Sequence, residues 1–194
     1  MTALLSGHVG SPGDLARHEA EAAISPTRLL HPARPPGPSS LAAAELAAIA
    51  EGLARSADSW PGVRRPARRT WDLMVASDAF EAWVIAWPPG GAIELHDHGD
   101  SAGAVVVARG ALLETKVTER AGGTLDTDTA VIRAGMAISF DASHVHDIVN
   151  SGIAPAVSVH VYSPRLTAMT FYAIADGRLV AGRTDRYHLG QAVP

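Results

Sequence analysis

The sequence predicts an all-β fold, an antiparallel sandwich or barrel with N-terminal helices packed on its outside, and three observations carry that prediction. From about Arg68 the chain breaks into short runs rich in β-branched and aromatic residues. Turn signals built on glycine, proline and asparagine separate these runs at short intervals. The regular strand-helix alternation of a doubly wound α/β fold is missing. The chain divides on this reading into an N-terminal helical and proline-rich segment, 1–62, and a β domain, 63–194.

Within the first segment, Ser11-Pro12-Gly13-Asp14 places a capping serine before a proline at the first helical position, which predicts a short helix through Ala23. Pro26, Pro32, Pro35, Pro36 and Pro38 then block regular structure and predict an extended connector from Ser25 to Ser40. Ser40 is placed to cap a second helix over Leu41–Ser56, with Leu41, Leu46, Ile49 and Leu53 on one face. That stripe predicts a helix lying against the outside of the β domain.

The strands follow. Phe80 to Trp87 is nearly continuous in apolar residues and ends at Pro88-Pro89-Gly90-Gly91. Ala104–Ala108 meets Leu112–Thr118 across Arg109-Gly110. Further runs span Ala130–Arg133, Met136–Phe140, Val145–Val149, Ala156–Ser163, Met169–Ala175 and Leu179–Arg183. Roughly eight to ten strands at this spacing suit a sandwich or barrel.

Composition narrows the function. A net charge of −4 with interspersed signs offers no field for nucleic acid or an anionic membrane surface. The absence of cysteine excludes disulfides, thiolate metal sites and a cysteine nucleophile, and suits a reducing cytoplasm. No signal-like N-terminus and no run of about twenty apolar residues is present, so a soluble cytoplasmic protein is expected.

Chemistry concentrates in histidine. His96 and His98 flank Asp97, and on an extended strand residues i and i+2 share a face, so both imidazoles can reach one point while Asp97 points away. His144 and His146 repeat the spacing, and spacing alone does not choose between them as a third metal ligand. His146 is preferred because His146 and Asn150 form a His-x-x-x-Asn pattern. Ser158, His160 and Tyr162 alternate with Val157, Val159 and Val161, which puts three polar side chains on one face of a strand and three valines on the other. The polar face is expected to line a cavity.

Residues from about Phe80 to Tyr172 resemble the cysteine dioxygenase family of cupins, the thiol dioxygenases that add both atoms of O2 to a small-molecule thiol. The resemblance rests on His96-Asp97-His98 followed by Asp100-Ser101 and Gly110, on His146 with Asn150, and on the run from Ser158 through Ser163-Pro164. It implies a cupin barrel, the double-stranded β-helix or jelly roll, of six to eight strands. It implies Fe(II) held by His96, His98 and His146, with Ser158, His160 and Tyr162 as an outer-sphere triad. The implied partners are a small thiol and O2, with neither nucleic acid nor membrane, in a monomer or homodimer.

Three departures from the family's relatives bear on the chemistry. Most cupins carry a glutamate four or five residues after the second histidine, where this chain has Ala102 and Gly103, so a three-histidine site is expected. Mammalian-type thiol dioxygenases cross-link a cysteine at the position of Gly103 to the triad tyrosine; this chain lacks it, like most bacterial members. The strand before the site carries a carboxylate-binding arginine or glutamine in the family, and Thr70-Trp71-Asp72-Leu73-Met74 has neither. Arg68, Arg69 and Arg165 are the candidate replacements, and the substrate-binding residue is unassigned at this point. Three histidines would also serve zinc or nickel in a hydrolase or isomerase, or a binding role without turnover.

Overall fold

The computed structural model describes residues 40–60, 66–121 and 123–187. The expected helix ending at Ala23, most of the proline-rich connector and the division at 62 lie outside the described residues.

One helix, α1 (Ala43–Ala54), a short 3-10 turn (Ala57–Ser59) and eleven strands make up the described residues. The strands are β1 (Thr70–Ala76), β2 (Glu81–Trp87), β3 (Ala92–His96), β4 (Ala102–Arg109), β5 (Ala111–Glu119) and β6 (Leu125–Arg133). They continue as β7 (Ala137–Phe140), β8 (Val145–Val149), β9 (Ala156–Ser163), β10 (Ala168–Ala175) and β11 (Arg178–Arg186). One sheet runs β1-β2-β9-β4-β7 and the other β11-β10-β3-β8-β5-β6. All pairings are antiparallel, and most sheet neighbours are distant in sequence. This is the cupin double-stranded β-helix that the resemblance implied, with eleven strands among the described residues rather than six to eight.

Alternation decides where the core lies. In β2, Trp83, Ile85 and Trp87 face the barrel interior, while Ala82, Val84 and Ala86 face outward. In β4, Val105 and Val107 face in and Ala104 and Val106 face out. In β9, Val157, Val159 and Val161 face out. The outward faces would be bare hydrocarbon without α1, whose Leu46 and Ala50 are fully buried against them. Covering each such valine is worth about 1.5–3 kcal/mol relative to exposure. Every residue of β9 is therefore buried, and the strand separates the helix from the barrel cavity.

Local differences from the sequence reading have local causes. The helix begins at Ala43 with Ala42 as its cap residue, not Ser40, because Glu45 Oε2 accepts the Ala42 N–H at 2.8 Å. The Leu41 N–H donates to Ser163 Oγ at 2.9 Å, so the end of β9 fixes where the helix starts. Leu46 and Ala50 form its buried face, with Leu41, Ile49 and Leu53 half-buried beside them. β6 starts five residues earlier than the run at Ala130 suggests, since Leu125–Thr129 is polar on an edge strand and gives no apolar alternation.

Candidate functional site

Register brings the first three histidines together. His96 ends β3 directly opposite His146 of β8, and His98 follows two residues later as the chain leaves the strand. Their ligand atoms lie within 4.8 Å of one another, and each side chain is almost completely buried. Asp97 points the other way. Its Oδ1 accepts the N–H groups of Gly99 and Thr170 at 3.0 Å each, and its Oδ2 accepts the Tyr172 hydroxyl at 2.7 Å. The segment between the two histidines is thereby clamped to β10.

Hydrogen bonding fixes two of the three tautomers. His96 Nδ1 lies 2.7 Å from the Glu94 carbonyl, which can only accept, so Nδ1 carries the proton and Nε2 keeps its lone pair. His146 Nδ1 lies 2.6 Å from Glu114 Oε1, and His144 Nε2 reaches the same oxygen at 2.9 Å. Burial pushes Glu114 upward, but the hydrogen bonds from His144 and His146 outweigh it and hold the carboxyl at about 2. An ionised carboxylate accepts both bonds, so His146 also presents Nε2 as a free donor atom. Glu114, His144 and His146 form a second compact group of potential ligands. Protons already satisfy its convergent atoms. Burial, reinforced by neighbouring imidazoles, drives His96 and His98 well below the ordinary histidine range and keeps both neutral.

His98 provides the test of whether a metal fits. Both of its ring nitrogens are buried with no hydrogen-bond partner among the described residues. A polar atom left in that state costs roughly 1–3 kcal/mol. A divalent transition ion bound by His96, His98 and His146 would use one of these nitrogens, and three neutral nitrogen donors suit it. Packing orients the ring instead: Phe140 stacks on His98 at 4.8 Å and 25°, and on His144 at 4.7 Å and 13°. Space for Phe140 comes from Gly103, where a Cβ would meet the ring at 2.5 and 2.6 Å. Gly103 stands opposite Tyr162 in the β4–β9 pair. A phenylalanine ring thus fills the place from which a cysteine would cross-link to that tyrosine.

Beside His96 opens a pocket walled by Trp71, Trp83, Trp87 and aliphatic side chains. Its polar groups are Arg69, His96, His160 and Tyr162. Trp87 Nε1 donates to Ser158 Oγ at 2.8 Å, Ser158 Oγ lies 2.9 Å from His160 Nε2, and His160 Nδ1 lies 3.2 Å from the Tyr162 hydroxyl. With the tryptophan bond accepted, the serine proton has only His160 Nε2 as a partner among the described residues. His160 Nδ1–H then donates to the Tyr162 oxygen, and the phenol proton is free to point into the cavity. Burial drags His160 to about 3 and raises Tyr162, so the relay is neutral in the physiological range.

The third feature of the cavity is a caged cation. The Arg69 guanidinium lies 5.3 Å from the Trp71 ring and 5.4 Å from the Trp87 ring, and its Nη1 is buried without a hydrogen-bond partner among the described residues. Burial pulls Arg69 below the ordinary guanidinium range, opposed by Tyr162, Glu94 and Tyr187. The other two candidate arginines are elsewhere: Arg165 pairs with Glu81 at 3.4 Å, and Arg68 is exposed.

Of the residues singled out from the sequence, His96, His98 and His146 converge, His144 lies one layer out on Glu114, and His160 and Tyr162 line the cavity beside His96. Asn150 binds the carbonyls of Trp87, Pro88 and Ala154 through Nδ2, which staples two turns rather than touching the cavity. Glu114, Phe140 and Trp87 are the groups that sequence reasoning missed. Glu114 carries a visible signal, an acid two residues from the inward-facing Leu112 on one strand face.

The family model for cysteine dioxygenase type I matches residues 39–174 of this chain. Among solved structures, TT1209 from Thermus thermophilus is 24% identical, with 52% of this chain and 88% of that one covered, at a TM-score of 0.44. An uncharacterised conserved protein with a double-stranded β-helix domain from Klebsiella pneumoniae is 21% identical, with 56% and 82% covered, at a TM-score of 0.46. A cupin superfamily protein from Desulfitobacterium hafniense is 11% identical, with 51% and 80% covered, at a TM-score of 0.42. The family match spans α1, the strands from β1 through β9 and all but the last residue of β10. On that match, the chain belongs to the cysteine dioxygenase type I family.

Proposed function

We propose that this protein is a non-haem iron thiol dioxygenase that converts a small thiol bearing a carboxylate, with one O2, into the corresponding sulfinate. The balance is closed: both oxygen atoms end on sulfur, and the thiol proton leaves to solvent. The observation that carries the reading is the juxtaposition of three convergent histidine nitrogens with a cavity holding one desolvated cation and one free phenol proton.

His96, His98 and His146 would hold Fe(II), which when bound supplies the affinity for a thiolate and the redox chemistry with O2. Everything else is the work of the chain. Arg69 takes the substrate carboxylate, and its cage between Trp71 and Trp87 leaves Nη1 ready to donate without shedding water. That end of the substrate being fixed, its sulfur is directed toward the histidines. Tyr162, held by His160 and Ser158, donates a hydrogen bond at the reacting end. The tryptophan walls keep bulk water away from both.

Oxygen uptake by anaerobically iron-loaded protein, read against a panel of cysteine, 3-mercaptopropionate, mercaptosuccinate and cysteamine, tests the reading. Uptake matched one-to-one by sulfinate, strongest for thiols with a carboxylate, is expected. No uptake with any of them, on protein shown to hold iron, would refute it. Metal content after expression without added metal separates iron from zinc or nickel. Cytoplasmic location and a monomer or homodimer belong to the same reading.

A further inference from the structure

We propose that Glu114 is the site's outer anion, a positioning residue that supplies from β5, through His146, the negative charge absent at Ala102 and Gly103. The inference rests on the reading that His96, His98 and His146 hold a metal ion.

The geometry is specific. Lys116 pairs with His146, and Glu114 with Ile148, so Glu114 and His146 are diagonal neighbours on one face of the β5–β8 pair. Glu114 is buried and its Oε1 sits 2.6 Å from His146 Nδ1. His144 holds that same oxygen at 2.9 Å and is itself stacked on Phe140, so the carboxylate has little freedom to turn away. A carboxylate bonded to Nδ1 draws the ring's proton toward itself and makes Nε2 a stronger donor. It also sets a full negative charge one imidazole ring from the ion, in surroundings that screen it weakly.

Two consequences follow for a bound ion. It is held more tightly, and its higher oxidation state is favoured over the lower. A site that looks from its three ligands to be uncompensated would instead carry a compensating charge in its second layer.

The test compares the wild-type chain, Glu114→Gln and His144→Gln. Glu114→Gln keeps the side chain's shape and an acceptor oxygen but removes the charge. Two quantities are read: Co(II) affinity by chelator competition, and the Fe(III)/Fe(II) midpoint potential. Glu114→Gln should bind about 10–100-fold more weakly. Its potential should rise by a tenfold preference for the reduced ion, about 59 mV for one electron. His144→Gln keeps the charge and should leave the potential within a few-fold equivalent of wild type. A purely structural role would lower the melting temperature of the metal-free protein without moving the potential.

Affinity and potential of Glu114→Gln within twofold of wild type would overturn the inference while leaving the metal site standing. A shift in His144→Gln as large as that in Glu114→Gln would overturn it too, since packing rather than charge would then be the cause. Should Glu114→Gln fail to fold, Glu114→Asp carries the test, because it keeps the charge but withdraws it by one methylene from His146 Nδ1; affinity and potential unchanged from wild type there would overturn the inference. Metal binding that survives both His96→Ala and His146→Ala would defeat the underlying reading as well.

Discussion

Replacing Gly103 by alanine should damage both the fold and the proposed metal centre, and the size of the effect follows from two distances. The added methyl would lie 2.5 and 2.6 Å from Phe140 ring carbons and 3.0 Å from the Val161 carbonyl oxygen. Carbon atoms prefer about 3.5–4.0 Å, so the ring must retreat by roughly 1 Å. It has nowhere to go cheaply. Phe140 is 7% exposed and is stacked on His98 on one hand and His144 on the other. Overpacking of this kind costs about 1–3 kcal/mol, which for a domain of this size lowers the melting temperature by roughly 2–12 °C. Because packing, with no hydrogen bond among the described residues, orients His98, the ring's retreat also turns a proposed ligand, and Co(II) affinity should fall with stability. Urea unfolding of chelator-treated protein and a cobalt titration measure the two separately. Adding Phe140→Leu to Gly103→Ala should recover stability but not affinity, since the stack on His98 is gone. A Gly103→Ala protein with wild-type midpoint and wild-type cobalt affinity would refute the account of Phe140 as the wedge that holds His98.

Other outcomes follow from the cavity and its relay. Tyr162→Phe should retain metal and lose roughly 100-fold or more in turnover with little change in KM, and unchanged turnover would remove the hydrogen-bonding role. Arg69→Gln should reduce kcat/KM for carboxylate-bearing thiols by about 10–150-fold, the worth of one charged hydrogen bond, while sparing cysteamine; equal loss for cysteamine would sink the assignment. The chelator-treated protein should lose stability as pH falls below about 6.5, measured as the urea midpoint from pH 7.5 to 5. Burial holds His96, His98, His146 and His160 below their unfolded values, so the unfolded chain binds more protons throughout that window. Each contributes up to about 1.4 kcal/mol per pH unit. Glu114 works in the same direction at lower pH, its stabilisation being lost between about 4 and 2. A midpoint flat from 7.5 to 5 would contradict the burial of these rings.

Much of this architecture is legible in the chain because strand alternation is a local code. Ser158-Val159-His160-Val161-Tyr162 announces a strand with a polar face and a valine face, and β9 has its triad toward the cavity and its valines under α1. The pairing of His96 with His146 is less local, and the sequence leaves His144 open because two histidines on one strand face are equivalent until register is known. Glu114 is hidden for the same reason: its meaning depends on which residue lies diagonally across in β8. Arg69 is illegible from spacing, since it precedes β1 and is turned inward by two tryptophans from different strands. The helix cap is misplaced because the decisive partner of Leu41, Ser163, lies 122 residues away in the sequence.

The two partnerless nitrogens of His98 have a consequence at the level of the living cell. A chain folded around an imidazole that nothing among its described residues satisfies would, on the proposed reading, depend on a bound ion for part of its stability. That dependence grows with the logarithm of ion concentration, reaching about 2.7 kcal/mol at one hundred times the dissociation constant. Losses of about 1–2 kcal/mol are enough to change how fast quality-control proteases clear a protein. Abundance would then follow metal supply: chains made during scarcity would be removed early, and those made in plenty would persist. On the reading that His96, His98 and His146 hold an ion, His98 would couple the protein's lifetime to the supply of that ion.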